Sequence, residues 1–234
     1  MKRKPEPASP ACKKTCGPVK KKNIIERIYR KLYAFYGPRN WWPGDTPFEV
    51  AVGAILTQNT NWLNVEKAVT NLKCKGVLNA RALNRMPEKD LARLIRPSGY
   101  YNVKAKRLKA FVTFLADSYS CKMTLLNRTD TKVLRERLLA INGIGRETCD
   151  SILLYALYRP VFVIDAYTKR ILSRHNILDL KASYGEYQAL FHDSLDRDAR
   201  RFNEYHALLV SLGKDFCRPV PRCAGCPLNE QRPA

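Results

Sequence analysis

Negative charge is what this sequence has least of for its length: 21 aspartates and glutamates stand against 42 lysines and arginines, a formal net charge of +21 over 234 residues. A surplus of that size argues against a cationic partner and favours a polyanionic one, because lysine and arginine gain free energy by releasing counterions condensed on phosphates. A merely solvated basic surface, or an anionic membrane, is the plainer alternative. Long apolar runs are missing too. No stretch approaches the length of a membrane span, and the basic N-terminus has none of the apolar core of a secretory signal. The expectation is a soluble intracellular protein. A secreted disulfide framework is also lacking, since three of the 8 cysteines crowd the C-terminus and the others are scattered, which suits reduced thiols and a metal site better.

Residues 1–22 hold eight basic residues, one acidic residue and four prolines, with almost no large apolar side chain. Such a stretch cannot offset the entropy of ordering itself, so a basic disordered tail is expected there. From Asn23 on, apolar residues recur at helical spacing, as in Ile24, Ile28 and Leu32. Thr46-Pro47-Phe48-Glu49 reads as a capping box with proline at the first helical position, and Pro87 with Glu88 and Asp90 opens another helix in the same manner. Further helices are predicted over 63–72, 103–115, 166–173, 187–195 and 202–212. Only 161–164 could pass for a strand, and it has no evident partner. The fold class is therefore all-α.

The centre of the pattern is 134–165. An apolar helical segment halts at Asn142-Gly143-Ile144-Gly145, and a second begins at once. Two glycines in so short a connection permit a tight hairpin whose amides and helix N-terminus face one spot, which suits a phosphate. Twenty residues after Gly145, beyond Pro160, comes a lone carboxylate, Asp165.

This combination resembles the helix-hairpin-helix, Gly/Pro-rich loop, aspartate signature of the endonuclease III superfamily of DNA glycosylases, from about residue 24 to 227. Trp41-Trp42-Pro43, Leu56-Thr57-Gln58-Asn59-Thr60, the run 96–102 and Gly143-Ile144-Gly145-Arg146-Glu147 look most like its endonuclease III-like 3-methyladenine members. The resemblance implies two lobes with a DNA-binding cleft between them: a helical barrel over 47–158, a second lobe from 23–46 and 159–216, and a cysteine-rich loop over 217–234. It implies a monomer in the cytoplasm, associated with the nucleoid, whose partner is double-stranded DNA containing a damaged base, with no membrane partner.

Base excision passes through a transition state of oxocarbenium character, so the site needs a fixed negative charge near the sugar. Asp165 can supply it and orient or deprotonate a water; it can also simply cap the helix that begins at Ala166. Bifunctional members of the superfamily carry a lysine nucleophile where this chain has Glu147, and a carboxylate forms no imine. The β-lyase step is therefore expected to be absent or weak, and Glu147 otherwise complements a helix dipole. An N-methylated purine is positively charged, a good leaving group and a ligand for electron-rich rings, so Trp42 and Trp62 are candidate walls of the base pocket; Trp41 reads as ordinary packing. The resemblance makes Gln58 the side chain that fills the gap left by the extruded nucleotide. On a continuous helix Gln58 and Trp62 would share a face. Phosphate contacts are expected from Gly143, Gly145 and Arg146, and from Lys104, Lys106 and Arg107 in the first turns of a helix that Asn102 can cap.

Cys217-x5-Cys223-x2-Cys226-Pro227 resembles the start of the family's 4Fe-4S loop, but the fourth cysteine is replaced by Arg232. Cys12 or Cys16 completing the set, a sequence that stops short of the ligand, zinc with His206 as fourth ligand, and no metal at all stand as alternatives. The rival functions are an endonuclease III-like glycosylase/AP lyase acting on oxidised pyrimidines, and a non-catalytic helix-hairpin-helix DNA-binding protein.

Overall fold

Short polar side chains mark where the helices of this chain begin. In the computed structural model, which describes residues 18–229, every regular element among the described residues is helical. The α-helices are α1 (Pro18–Tyr36), α2 (Pro47–Leu56), α3 (Trp62–Cys74), α4 (Ala80–Arg85), α5 (Glu88–Leu94), α6 (Tyr101–Tyr119), α7 (Thr131–Leu139), α8 (Arg146–Ser151, continued as a π-turn over Ile152–Ala156), α9 (Ala166–Arg174), α10 (Tyr184–Ser194) and α11 (Ala199–Asp215), with short 3-10 turns at Arg96–Ser98 and Met123–Arg128. Asn61, Asn79, Asp130, Ser183 and Asp198 each accept a first-turn amide, worth about 1 kcal/mol per cap. Thr46 does the same for Glu49 at 3.1 Å. The Glu49 carboxylate turns instead to the Asp45 amide and to Lys73, so the expected capping box is half formed.

Apolar faces then decide the packing. Helix α1 lies on α10 and α11 through Ile25, Ile28 and Leu32, all inaccessible to solvent. Helix α2, buried on nearly every side, runs through the middle against α3, α6 and α8 with its π-turn, while α4 and α5 close over α6. Helix α11 packs on α9 and reaches the same π-turn.

Two expectations need correction. Residues 18–22 form the first turns of α1 rather than a disordered tail; residues 1–17, with Cys12 and Cys16, lie outside the described residues, as do 230–234. The run 161–164 is extended but pairs with no strand, because side chains of α10 satisfy its backbone. Phe162 N–H donates to His192 Nε2 (3.0 Å), Ile164 N–H to the Tyr184 hydroxyl (3.3 Å), and Gln188 Nε2 donates to the Phe162 carbonyl (2.7 Å). Burial pushes His192 down to about 4, which keeps it neutral and able to accept.

A buried carboxylate locks this segment to the hairpin. Asp150 on α8, with no accessible side-chain surface, accepts both Nε and Nη2 of Arg135 on α7 (2.6 and 3.0 Å), the Tyr184 hydroxyl (2.8 Å) and Gln188 Nε2 (2.8 Å). Each oxygen of so deeply buried a charge needs such partners. The peptide that delivers Asp165 is thereby held against both α8 and α10.

Candidate active site

The connection between α7 and α8 is tight for a specific reason. Gly143 sits at φ +86°, and a Cβ there would meet the Arg107 side chain at 2.3 Å, so any other residue would strain the backbone and have to displace Arg107. Gly145 differs. It caps α8 at φ −83° with open space around it, so its missing side chain leaves room rather than relieving strain. No side chain caps α8, and Arg146 is exposed beside its free amides. That is an anion-accepting arrangement.

Asp165 is 8 % exposed and does two things at once. Its Oδ1 accepts the Thr168 amide at 2.7 Å, capping α9, so the capping reading and the catalytic one occupy the same side chain. Its Oδ2 faces His206 Nε2 at 3.6 Å. His206 Nδ1 is hydrogen-bonded to the Tyr155 hydroxyl, and the Tyr155 ring packs on Trp42, centroids 5.0 Å apart. Trp42 stands edge-on to Trp62 at 5.2 Å and to Trp41 at 5.5 Å. Gly53 makes the nesting feasible, since a Cβ there would stand 3.3 Å from Trp42 Nε1 and 3.6 Å from the Trp62 ring. A continuous path of side chains therefore joins the carboxylate to an aromatic wall.

Glu147, in the first turn of α8, is exposed at the surface yet has enough protein around it to be partly desolvated. Those surroundings first, and the charge of Asp165 second, push its carboxyl up to about 7. Burial pushes His206 down, and Asp165 only partly opposes this, so the two form a neutral imidazole beside a carboxylate rather than an ion pair.

The HhH-GPD superfamily of base excision DNA repair proteins matches residues 52–197, which include the hairpin and Asp165. This chain belongs to that superfamily. A provisionally named DNA repair glycosylase of Methanocaldococcus jannaschii is 48% identical over 208 residues, covering 88% of this chain and 94% of that one. An endonuclease III of Thermotoga maritima is 28% identical over 87% of this chain and 89% of its own. Among solved structures, the Helicobacter pylori 3-methyladenine DNA glycosylase bound to 1,N6-ethenoadenine superposes with a TM-score of 0.71 at 28% identity, covering 83% and 97% of the two chains. An endonuclease III–DNA complex gives 0.77 at 20% identity, covering 90% and 94%, a likeness of fold.

Elsewhere in this glycosylase the structure rearranges several expectations. Gln58 and Trp62 share no helix face: α2 ends at Leu56, the chain turns through Asn59 at φ 53°, and α3 begins at Trp62. Gln58 instead reaches the hairpin, its Nε2 donating to the Gly143 carbonyl (3.0 Å) and Thr148 Oγ1 (2.8 Å), while Arg107 donates to its Oε1. Lys104 is no phosphate contact. It is 1 % exposed, and its Nζ donates to the Leu56 and Ser98 carbonyls (2.8 and 2.6 Å), stapling the Gln58 turn to the turn before α6. Burial, then Arg107, pulls it down to about 8. Lys106 is exposed, as a phosphate contact must be. Asn102 does not cap α6; Tyr100 takes the cap position at φ 44°, and its side chain is 72 % exposed. A bulky residue in that conformation is strained and marks a candidate contact.

Cys217, Cys223 and Cys226 line one small cavity with Arg174, His175 and Phe216, and Arg174 Nη1 lies 3.5 Å from Cys217 Sγ. Among the described residues no three His, Cys, Asp or Glu side chains stand as a ready single-ion site. His206 as a zinc ligand is overturned, because both its ring nitrogens face Tyr155 and Asp165. Sequence reasoning gave His206 no place near Asp165 and counted Tyr155 only as an apolar residue. One signal was readable: His206 follows Phe202 by four positions on the apolar face of α11, which buries it.

Proposed function

We propose that this DNA glycosylase is monofunctional and hydrolyses the N-glycosidic bond of alkylated purines in duplex DNA, acting as a monomer. The observation that carries the reading is the unbroken path from Asp165 through His206 and Tyr155 to Trp42 and Trp62: a carboxylate for the sugar and electron-rich rings for a cationic base in one place. Stacking on such rings is worth about 1–3 kcal/mol, and cationic purines gain further from the ring quadrupole. Asp165 stabilises positive charge developing at C1′ and receives a proton from the attacking water. Glu147, at about 7, is a proton reservoir near neutrality and has no amine with which to form an imine. The H. pylori relative, a 3-methyladenine glycosylase bound to 1,N6-ethenoadenine, supports the substrate class.

On the duplex, the amides of Gly143 and Gly145 with Arg146 and Lys106 would hold phosphates, Gln58 would enter the gap left by the flipped base, and Tyr100 would offer a ring beside it. Extrusion costs unstacking, which inserted side chains partly offset. The three thiols that line one cavity would supply three ligands of an iron-sulfur cluster, the fourth coming from a cysteine elsewhere in the chain such as Cys12 or Cys16, which lie outside the described residues. Such a cluster would pin the 217–226 loop. A brown chromophore on protein purified without air, lost in Cys223→Ala, tests this.

The test of function is incubation with duplexes bearing 3-methyladenine, 7-methylguanine or thymine glycol, scoring base release and strand scission separately. Release of the methylated purines without scission, abolished in Asp165→Asn, is expected. A borohydride-trapped adduct that disappears on mutating a lysine would favour the endonuclease III-like alternative, which the T. maritima relative keeps in play.

A further inference from the structure

His206 Nε2 is one of several buried side-chain polar atoms among the described residues without a hydrogen-bond partner, and at the site it shares that state with Trp42 Nε1 and Thr168 Oγ1. His206 is 5 % exposed, and Nε2 is unsatisfied while Nδ1 is engaged by Tyr155. A buried polar atom left unpaired carries a desolvation cost, and native structures retain few of them without a use. Here the unpaired atom points at Oδ2 of Asp165, 3.6 Å away. That gap is too long for a hydrogen bond and too short to admit a bridging water, so it is a direct contact held slightly open.

Electrostatics selects the tautomer. A bare Nε2 lone pair against a carboxylate oxygen would be repulsive, whereas Nε2–H is attractive. The proton therefore sits on Nε2, Nδ1 accepts, and the Tyr155 hydroxyl is the donor. The groups facing this pair come from every neighbouring element: Tyr155 and Glu147 from α8, the Thr168 amide from α9, and the ring of Phe162 from the extended run. Among those named, no cation competes with the imidazole for Oδ2.

We propose that His206 is the positioning residue for Asp165: when DNA is bound, Nε2–H closes onto Oδ2 while Thr168 N–H holds Oδ1, fixing the carboxylate as an anion with its remaining lone pairs turned to the sugar. This rests on the glycosylase reading above. Apo hydrogen bonds at catalytic groups commonly tighten only in the complex. In the reaction the water oxygen bonds to C1′, the C1′–N bond breaks with its electron pair leaving on the purine, and the water proton passes to Asp165. The imidazole keeps its own proton throughout. Its neutrality follows from its burial, which holds it below the usual histidine range.

The test uses the full chain on a 7-methylguanine duplex under single-turnover conditions from pH 5 to 9. His206→Phe is expected to lose about 10- to 100-fold in rate, the range of one charge-assisted hydrogen bond, and to move the acid limb of the profile upward by about one pH unit, since a donor favouring the carboxylate is gone. His206→Gln, whose amide nitrogen can stand where Nε2 does, should recover most of the rate and the original limb. Nitrogen-15 NMR of the unliganded protein should show one neutral histidine protonated on Nε2 whose signals shift in Asp165→Asn. A folded His206→Phe with wild-type rate and limb overturns the proposal, as does an Nδ1–H tautomer, and the NMR decides even where His206→Phe does not fold. Wild-type protein that releases no base would defeat the proposed substrate instead, and the NMR still reads the His206–Asp165 contact.

Discussion

Replacing Asp150 by alanine isolates the lock between the hairpin and the segment that carries Asp165. The substitution removes the acceptor of two Arg135 bonds, of the Tyr184 hydroxyl and of Gln188. Taking one partner from a buried pair costs about 3–5 kcal/mol because the other charge is left uncompensated. Arg135 keeps some solvent access, 27% of its side chain, which argues for the lower half of that range. The stranded hydroxyl and amide add about 1 kcal/mol between them. A total near 4 kcal/mol is a large part of a domain's typical 5–15, and at about 2–4 °C per kcal/mol it lowers the melting temperature by about 8–16 °C. Circular dichroism melts at neutral pH measure it. Arg135→Met combined with Asp150→Ala should recover part of the loss, since the unpaired guanidinium is gone, and base release should fall in the single mutant because Tyr184 also holds the Ile164 amide one residue before Asp165. A single mutant melting within 2 °C of wild type, or a double mutant less stable than the sum of its parts, refutes the reasoning.

Lys104 and Lys106 separate by salt: Lys106→Ala should flatten the salt dependence of DNA affinity by about one phosphate, while Lys104→Met should leave that slope alone and lower stability by freeing two buried carbonyls. The hairpin glycines separate by assay. Gly143→Ala strains φ and collides with Arg107, so both melting temperature and DNA affinity should drop, whereas Gly145→Ala fits its backbone and should weaken DNA binding with little change in the melt. Glu147 has a folded pKa raised to about 7, so ionising it costs stability that is absent below its usual carboxyl range and grows as pH rises to about 7. Glu147→Gln should therefore raise the melting temperature at pH 8 and leave it unchanged near pH 4, and equal effects at both would contradict the shift.

What could be read from the chain alone was local. Periodicity found α3, α6, α9, α10 and α11 to within a few residues, and glycine spacing found the hairpin. What escaped depends on contacts distant in sequence. A lysine is rarely buried, so nothing near Lys104 announces that the Leu56 carbonyl will claim it. Val161 to Ile164 has strand composition, yet partners on α10 satisfy its backbone. His206 lies 41 positions after Asp165 and meets it only because α9 and α11 pack together; its count among the metal-binding residue types drew it toward the cysteines.

Gln58 rests in the unliganded protein with its amide fastened to the Gly143 carbonyl, to Thr148 and to Arg107. In the role proposed for it above, Gln58 would first have to let go of the loop proposed to hold the backbone, giving up roughly 2–4 kcal/mol of bonding. Intact, well-stacked DNA would offer little in return and the side chain would stay sheathed, whereas a weakened pair would open a hole that does. Inspection and grip would then share one latch.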